Sequence, residues 1–317
     1  CLTHTRQGRV EPIRSVKLWQ IARVFQGLAT ADDVRFIRKT PGIVPNARRK
    51  NIIDVNMSLV LEAEQLRSLS DSDKQNGIEV LDKEATPHFV PFDKGGEQDT
   101  EGGELRAFYS PVDYWIDWSR ESVDELKRRN AFAPGTPKKP RLQNTQFYFR
   151  QGIRFTRAGL YAPMFELSFA GVPSDKGSII LPVHEELSFF LLPILCAPFT
   201  KYLVKNFLQH TGMTEGDVIR QIPIPVPSRE IFEELSITCR SIIDVKKRLK
   251  DSRALVAKAN DIVSDLYQLD QKDNQEIAAW FKRRYPHFGR GKAEALDDLP
   301  NPTKTTSKSV ARKAKQT

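Results

Sequence analysis

Only three cysteines, Cys1, Cys196 and Cys239, occur in 317 residues, and they lie far apart in the chain. The lack of any Cys-x-x-Cys pair argues against a disulfide framework or a zinc knuckle, and a reducing cytoplasm fits. Long apolar runs are equally scarce. The longest, Leu187 to Leu195, contains Pro193 and gives way to Cys196-Ala197-Pro198. A membrane-spanning helix needs about twice that length, so no membrane partner is expected. The opening residues are polar, show no signal-peptide pattern and start at Cys1, so further chain is expected upstream. Histidines 4, 88, 184, 210 and 287 have no metal-ligand spacing, and no metal is expected.

What is abundant is positive charge. Lys and Arg number 49 against 40 Asp and Glu, giving a net charge of +9 and a pI of about 9.4. That balance favours a polyanionic partner, either nucleic acid or an anionic membrane surface. The hydrophobic share, 39%, still supports a core, and the length suits one large domain or two ordinary ones.

Short strand and turn signals dominate the first two thirds. Trp19, Ile21, Val24 and Phe25 read as a strand before the polar turn at Ala31-Asp32-Asp33. Asn51 to Leu69 has a loosely helical pattern carried by Ile53, Met57, Val60 and Leu61. Pro87 to Gly96 reads as a strand entering a glycine turn, Gln98 to Glu104 as a loop, Tyr114 to Trp118 as a strand and Arg120 to Arg129 as a charged helix. Ser178 to Leu181 reads as a strand, Glu185 to Leu208 as a buried helix broken near Pro198, and Gln221 to Pro227 as rigid extended chain. From Ser228 to Arg284 proline is absent. Ile231, Leu235, Ile242, Val245, Leu249, Ile262, Leu266 and Tyr267 make an apolar helical stripe there. Gly289 to Thr317 is rich in lysine and threonine and nearly devoid of apolar residues, so disorder is expected.

The chemistry of catalysis is missing. No Walker-type loop occurs, and the one Asn-Pro, Asn301-Pro302, is followed by threonine rather than by the Pro-aromatic pair with which base-modifying methyltransferases grip a flipped adenine. Asp113, Asp117 and Glu121 lie close in sequence and read as a solvated face. The densest basic-aromatic segment is Phe147 to Arg157. One reading is a strand with Phe147, Phe149, Ile153 and Phe155 in a core and its arginines in water. The other turns Arg150, Arg154 and Arg157 toward nucleic acid, since arginine both reads guanine and holds phosphate. Lys94-Gly95-Gly96 offers amides and a cation suited to a phosphate. Arg48-Arg49-Lys50 and Lys138-Lys139 with Arg141 are loop charges.

The order of these elements resembles the C-terminal target-recognition region of type IIG restriction-modification enzymes and of BREX-type phage-defence adenine methyltransferases. That family's Gly-x-x-Thr-Gly-Asp-Asn-x-Arg-Phe-x-Arg stretch is similar to Gly27 through Arg38, with Ala31 in place of its second glycine. Its Lys-Gly-Gly element looks like Lys94-Gly95-Gly96, and its Tyr-x-Ile-x-Trp strand like Tyr114 to Trp118. Its aromatic-x-x-Gly-Ile-x-aromatic-Thr element looks like Phe149 to Thr156, and its Leu-Pro-Ile-Pro like Ile222-Pro223-Ile224-Pro225. The family's hydrophobic helix is similar to Leu187 to Tyr202, with Ala197-Pro198-Phe199 where the family often has Asn-Ser-Lys, and its Leu-Tyr-Gly-Leu helix end to Leu266-Tyr267-Gln268-Leu269.

The resemblance implies an α+β fold: a mixed-sheet target-recognition domain over 1–227, a helical spacer or bundle region over 228–288, and a disordered basic tail over 289–317. It implies sequence-specific contact with double-stranded DNA through Arg35, Arg38, Lys94, Gly95, Gly96, Arg150, Gln151, Arg154 and Arg157. It also implies an upstream methyltransferase domain that uses S-adenosylmethionine to methylate adenine, with no cofactor or catalytic residue in this chain. Two alternatives stay open: a free-standing specificity subunit of the type I kind, of which only one recognition region and one spacer are visible, and a basic scaffold that binds nucleic acid without sequence preference.

Overall fold

A computed structural model describes residues 2–6, 9–44, 50–93, 107–132, 139–157, 163–175, 177–209 and 214–284. Cys1–Asp270 form one compact unit and Gln271–Thr317 a second. The expected lysine-glycine turn at 94–96, the loop at 98–104 and the tail at 289–317 lie outside the described residues.

Within the first unit, β1 (Leu2–Arg6) and β2 (Arg9–Ile13) make a hairpin, followed by β3 (Ser15–Lys17), β4 (Ala22–Phe25), the one-turn helix α1 (Asp33–Phe36) and β5 (Ile37–Lys39). Helices α2 (Ala63–Ser68) and α3 (Asp71–Asn76) lead to β6 (Phe89–Asp93), β7 (Tyr114–Asp117) and α4 (Arg120–Phe132). Four strands come next: β8 (Ile153–Thr156), β9 (Phe165–Leu167), β10 (Val172–Pro173) and β11 (Gly177–Pro182). Helices α5 (Leu187–Cys196), α6 (Pro198–Leu203) and α7 (Gly216–Ile219) precede β12 (Pro223–Pro225), α8 (Arg229–Lys247) and α9 (Arg253–Leu266). The described part of the second unit is α10 (Gln271–Arg284). The class is α+β.

Two four-stranded sheets carry the first unit. One is antiparallel throughout, in the order β4-β11-β8-β9. The other is mixed, in the order β10-β6-β7-β5, because β10 runs parallel to β6 while the remaining pairs are antiparallel. The antiparallel sheet buries Val24, Ile180, Ile153, Phe155 and Phe165 against α5, α8 and α9. Helix α5 is apolar on every side, and its residues from Ser188 to Cys196 are all buried, as a central helix requires. It stops at Cys196, and Pro198 opens α6, where a missing N–H costs nothing. Around the mixed sheet, Phe36, Val90, Ile116, Trp118, Leu126 and Tyr148 form a second core.

Helix α8 begins where the composition changes, with Ser228 as its N-cap, its side chain accepting from the Ile231 amide. Leu235, Cys239, Ile242 and Ile243 on its buried face share the core of the antiparallel sheet. The stripe ends sooner than its spacing predicts: Leu249 is 89% exposed, because the helix terminates at Lys247 and Leu249 adopts φ 53°.

The helical expectation over Asn51–Leu69 is corrected. Only a 3-10 turn at Met57–Leu59 and the short α2 form, while Ile53 and Met57 point to solvent. The segment instead bridges the mixed sheet, with the Lys39 amide donating to Ile53 O and the Leu61 amide to Phe89 O. Nor is Asp117 a solvated carboxylate. Burial pushes its pKa up, but hydrogen bonds from Ser119 and from Ser122 Oγ at 2.7 Å more than offset this and hold it below the usual range.

Candidate nucleic-acid interface

The nine residues expected to face DNA separate into distinct surroundings. Arg35 and Arg38 belong to α1 and the strand after it. Asp32 caps that helix by accepting from the Arg35 amide at 3.3 Å, and Thr30 Oγ1 donates to Asp33 at 2.5 Å. Arg35 meets Glu125 at 2.9 Å and Asp117 at 3.6 Å, and its guanidinium lies 5.1 Å from the centre of the Phe36 ring. Arg129 covers the same ring at 5.3 Å and also pairs with Asp32 and Glu125. Arg38 donates to the carbonyls of Ile37 at 2.9 Å and Val34 at 3.2 Å, giving the open carbonyls at the end of α1 a donor. Its pKa is lowered, chiefly by burial. The arginines of this motif therefore already have internal partners, and Arg35, through Glu125, braces α1 against α4.

Two positions that the resemblance marks as glycine sites have physical reasons. A Cβ on Gly27 would stand 1.9 Å from Pro173 O, where β10 crosses. Ala31 occupies the place of the family's second glycine and adopts φ 59°, the left-handed region.

Arg154 is a correction. It was expected to face a partner, yet it is only 5% exposed. It projects from the face of the antiparallel sheet opposite the helices, because its neighbours Ile153 and Phe155 fill the helix-side core. Its Nη2 meets Glu166 Oε2 at 2.5 Å and Ser110 Oγ at 2.7 Å, and its Nη1 meets Asp93 Oδ1 at 3.4 Å. Ser110 in turn donates to Glu166, and the Phe169 ring covers the guanidinium at 4.3 Å. A cation on a buried strand face must be compensated, and Glu166, 2% exposed, and Asp93, 1% exposed, do so. Burial raises the Asp93 pKa to about 6 despite Arg154 and the Phe169 amide. The cluster links β6 of the mixed sheet to β8 and β9 of the antiparallel one, fixing the two sheets together. The Arg157 side chain, 14% exposed, pairs with Glu215, and its carbonyl accepts from the Thr214 amide at 2.7 Å.

Arg150 and Gln151 differ from these. Arg150 is exposed and has no carboxylate partner among the described residues. The loop that presents it is held on both sides. Phe149, at φ 61°, donates its amide to Gly171 O at 2.9 Å and packs edge-on to Trp118 at 5.5 Å. Gly152 exchanges hydrogen bonds of 2.8 Å with Ser168 through Ser168 Oγ and the Ser168 amide. A Cβ on Gly152 would lie 2.6 Å from Ile180 O. Phe147 and Phe149 are not strand residues, since a 3-10 turn at Thr145–Phe147 and the left-handed Phe149 precede β8.

Sequence reasoning passed over Arg23. It is exposed, and its guanidinium sits 5.3 Å from the Phe147 ring centre, with Phe25 packed on the same ring at 5.2 Å. The signal was available in the alternation Ala22-Arg23-Val24-Phe25, which puts Arg23 on the face away from the helices.

No family model matches the chain, and no curated protein matches its sequence. Among solved structures it is similar to the type IIL restriction-modification enzyme MmeI, determined in complex with DNA, at 12% identity and a TM-score of 0.43. The match covers 91% of this chain and 37% of that one, so the chain spans little more than a third of the MmeI chain. At that score the likeness assigns neither fold nor activity. No single helix among the described residues is long and apolar enough to cross a membrane.

Proposed function

We propose that this chain is the DNA target-recognition part of a site-specific adenine methyltransferase of the restriction-modification or phage-defence kind. The single observation that carries the reading is the presentation of Arg150 and Gln151. An exposed arginine without a carboxylate partner among the described residues, and a partly exposed glutamine next to it, sit on a loop clamped by Gly171, Trp118 and Ser168. Those two side-chain types suit bidentate readout of guanine and of adenine respectively, and a rigid root keeps such contacts in register. The net charge of +9 supplies the long-range attraction, and the ordered motifs from Gly27 to Leu269 support the same assignment. In this reading Arg154 acts from inside, holding the sheet beneath the loop. Arg35 and Arg38 brace α1, and Lys94-Gly95-Gly96 serves as a phosphate contact. Methyl transfer belongs to a partner domain that binds S-adenosylmethionine.

The test is selection from a random duplex pool at two salt concentrations. The proposal expects a short motif whose enrichment survives the higher salt, with Arg150→Ala relaxing one base pair by ~1–3 kcal/mol. Uniform binding that collapses with salt would sink specific recognition and leave a non-specific scaffold.

A further inference from the structure

We infer that Arg23 is a second contact of this surface, made to the DNA phosphate backbone rather than to a base. The inference rests on the DNA-binding reading above and extends it to a residue outside every motif of the resemblance. Ala22 and Val24 point into the helix-side core, so β4 must turn Arg23 and Phe25 to the opposite face. On that face Phe147 stacks against Phe25, and the Arg23 guanidinium lies over Phe147. The aromatic pair fixes the cation without neutralising it, because a ring contributes a quadrupole and no charge. No carboxylate pairs with Arg23 among the described residues, whereas Arg35, Arg120, Arg129, Arg154 and Arg157 all have acidic partners.

The register brings Arg23 near the Arg150 loop. Arg23 lies opposite Leu181, and Ile180 lies opposite both Val24 and Ile153. Gly152, next after Gln151, therefore enters the sheet two strands away, roughly 10 Å at the usual strand spacing. The division of labour follows from rigidity. A guanidinium laid on a ring at a strand position presents a fixed charge, which suits the regular phosphate array. The loop residues Arg150 and Gln151 can be exchanged without disturbing the sheet, which suits base readout.

The experiment measures the affinity of the chain for a random-sequence duplex over a salt series, with Arg23→Ala, Arg23→Lys and, as a control, Lys258→Ala. Lys258 is a paired surface cation on α9. Arg23→Ala is expected to weaken binding equally across sequences and to make the slope of log affinity against log salt shallower by about 1. Arg23→Lys should keep the slope, and Lys258→Ala should change nothing. The inference is overturned if Arg23→Ala keeps the wild-type slope, if Arg23→Lys loses as much as Arg23→Ala, or if the loss falls on one base pair only. A wild-type chain that does not bind duplex DNA at all overturns the DNA reading itself, and this inference with it.

Discussion

Replacing Arg154 with methionine separates a structural from a DNA-facing role. The substitution preserves much of the side-chain volume and removes the charge. It leaves Glu166 and Asp93, 2% and 1% exposed, without their cation, and leaves Ser110 without its guanidinium donor. Breaking a buried ion pair by deleting one partner costs about 3–5 kcal/mol, because the remaining charge has lost its compensation and has no access to water. Against a typical total stability of about 5–15 kcal/mol, that is a drop in melting temperature on the order of 6–20 °C for a domain of this size. The assay is urea denaturation followed by circular dichroism at neutral pH, run as a double-mutant cycle with Glu166→Gln. The double variant should lose less than the sum of the two single ones, since neutralising Glu166 removes much of the charge that Arg154→Met strands. Arg150→Ala, at an exposed site, should stay within about 0.5 kcal/mol of wild type. A loss below about 1 kcal/mol in Arg154→Met, or strict additivity in the cycle, would refute the account of the cluster.

Asp93 gives a pH signature. Its carboxyl is held near 6 in the folded chain against an ordinary 3.8, so between those values the folded state binds the proton more tightly than the unfolded one. Its contribution to stability is present in full below the ordinary value and is lost as pH rises through about 6, a change of roughly 3 kcal/mol. Asp93→Asn should flatten that segment of the stability-against-pH curve, and an unchanged curve would remove Asp93 as its source. Ala31→Gly should stabilise the chain by about 0.5–1 kcal/mol in thermal melts, because φ 59° is unfavourable for a residue with a Cβ. A loss of stability on that change would argue against the left-handed turn.

How much of this was legible in the sequence can be followed element by element. Tyr114–Asp117, Gly177–Pro182 and the break before Pro198 announce themselves, because the aromatic and β-branched residues that favour strands and proline's missing donor are local properties. The amphipathic helix that follows Ser228 does so as well. Asn51–Leu69 misled because its apolar residues are nearly helix-spaced, while backbone pairing with Lys39 and Phe89, remote in sequence, decides their conformation. The arginines are where the distinction is sharpest. Arg150 and Arg154 lie four residues apart in one basic-aromatic segment, and composition gives no ground for treating them differently. Their fates diverge because the strand β8 begins between them. Phe149 and Gly152 leave Arg150 in solvent, while pairing with β9 and β11 turns Arg154 inward to carboxylates from other strands. Charge and periodicity are written locally and fix what kinds of surface the chain can make. Which guanidinium is compensated depends on the residues brought opposite it, and only the tertiary structure supplies those.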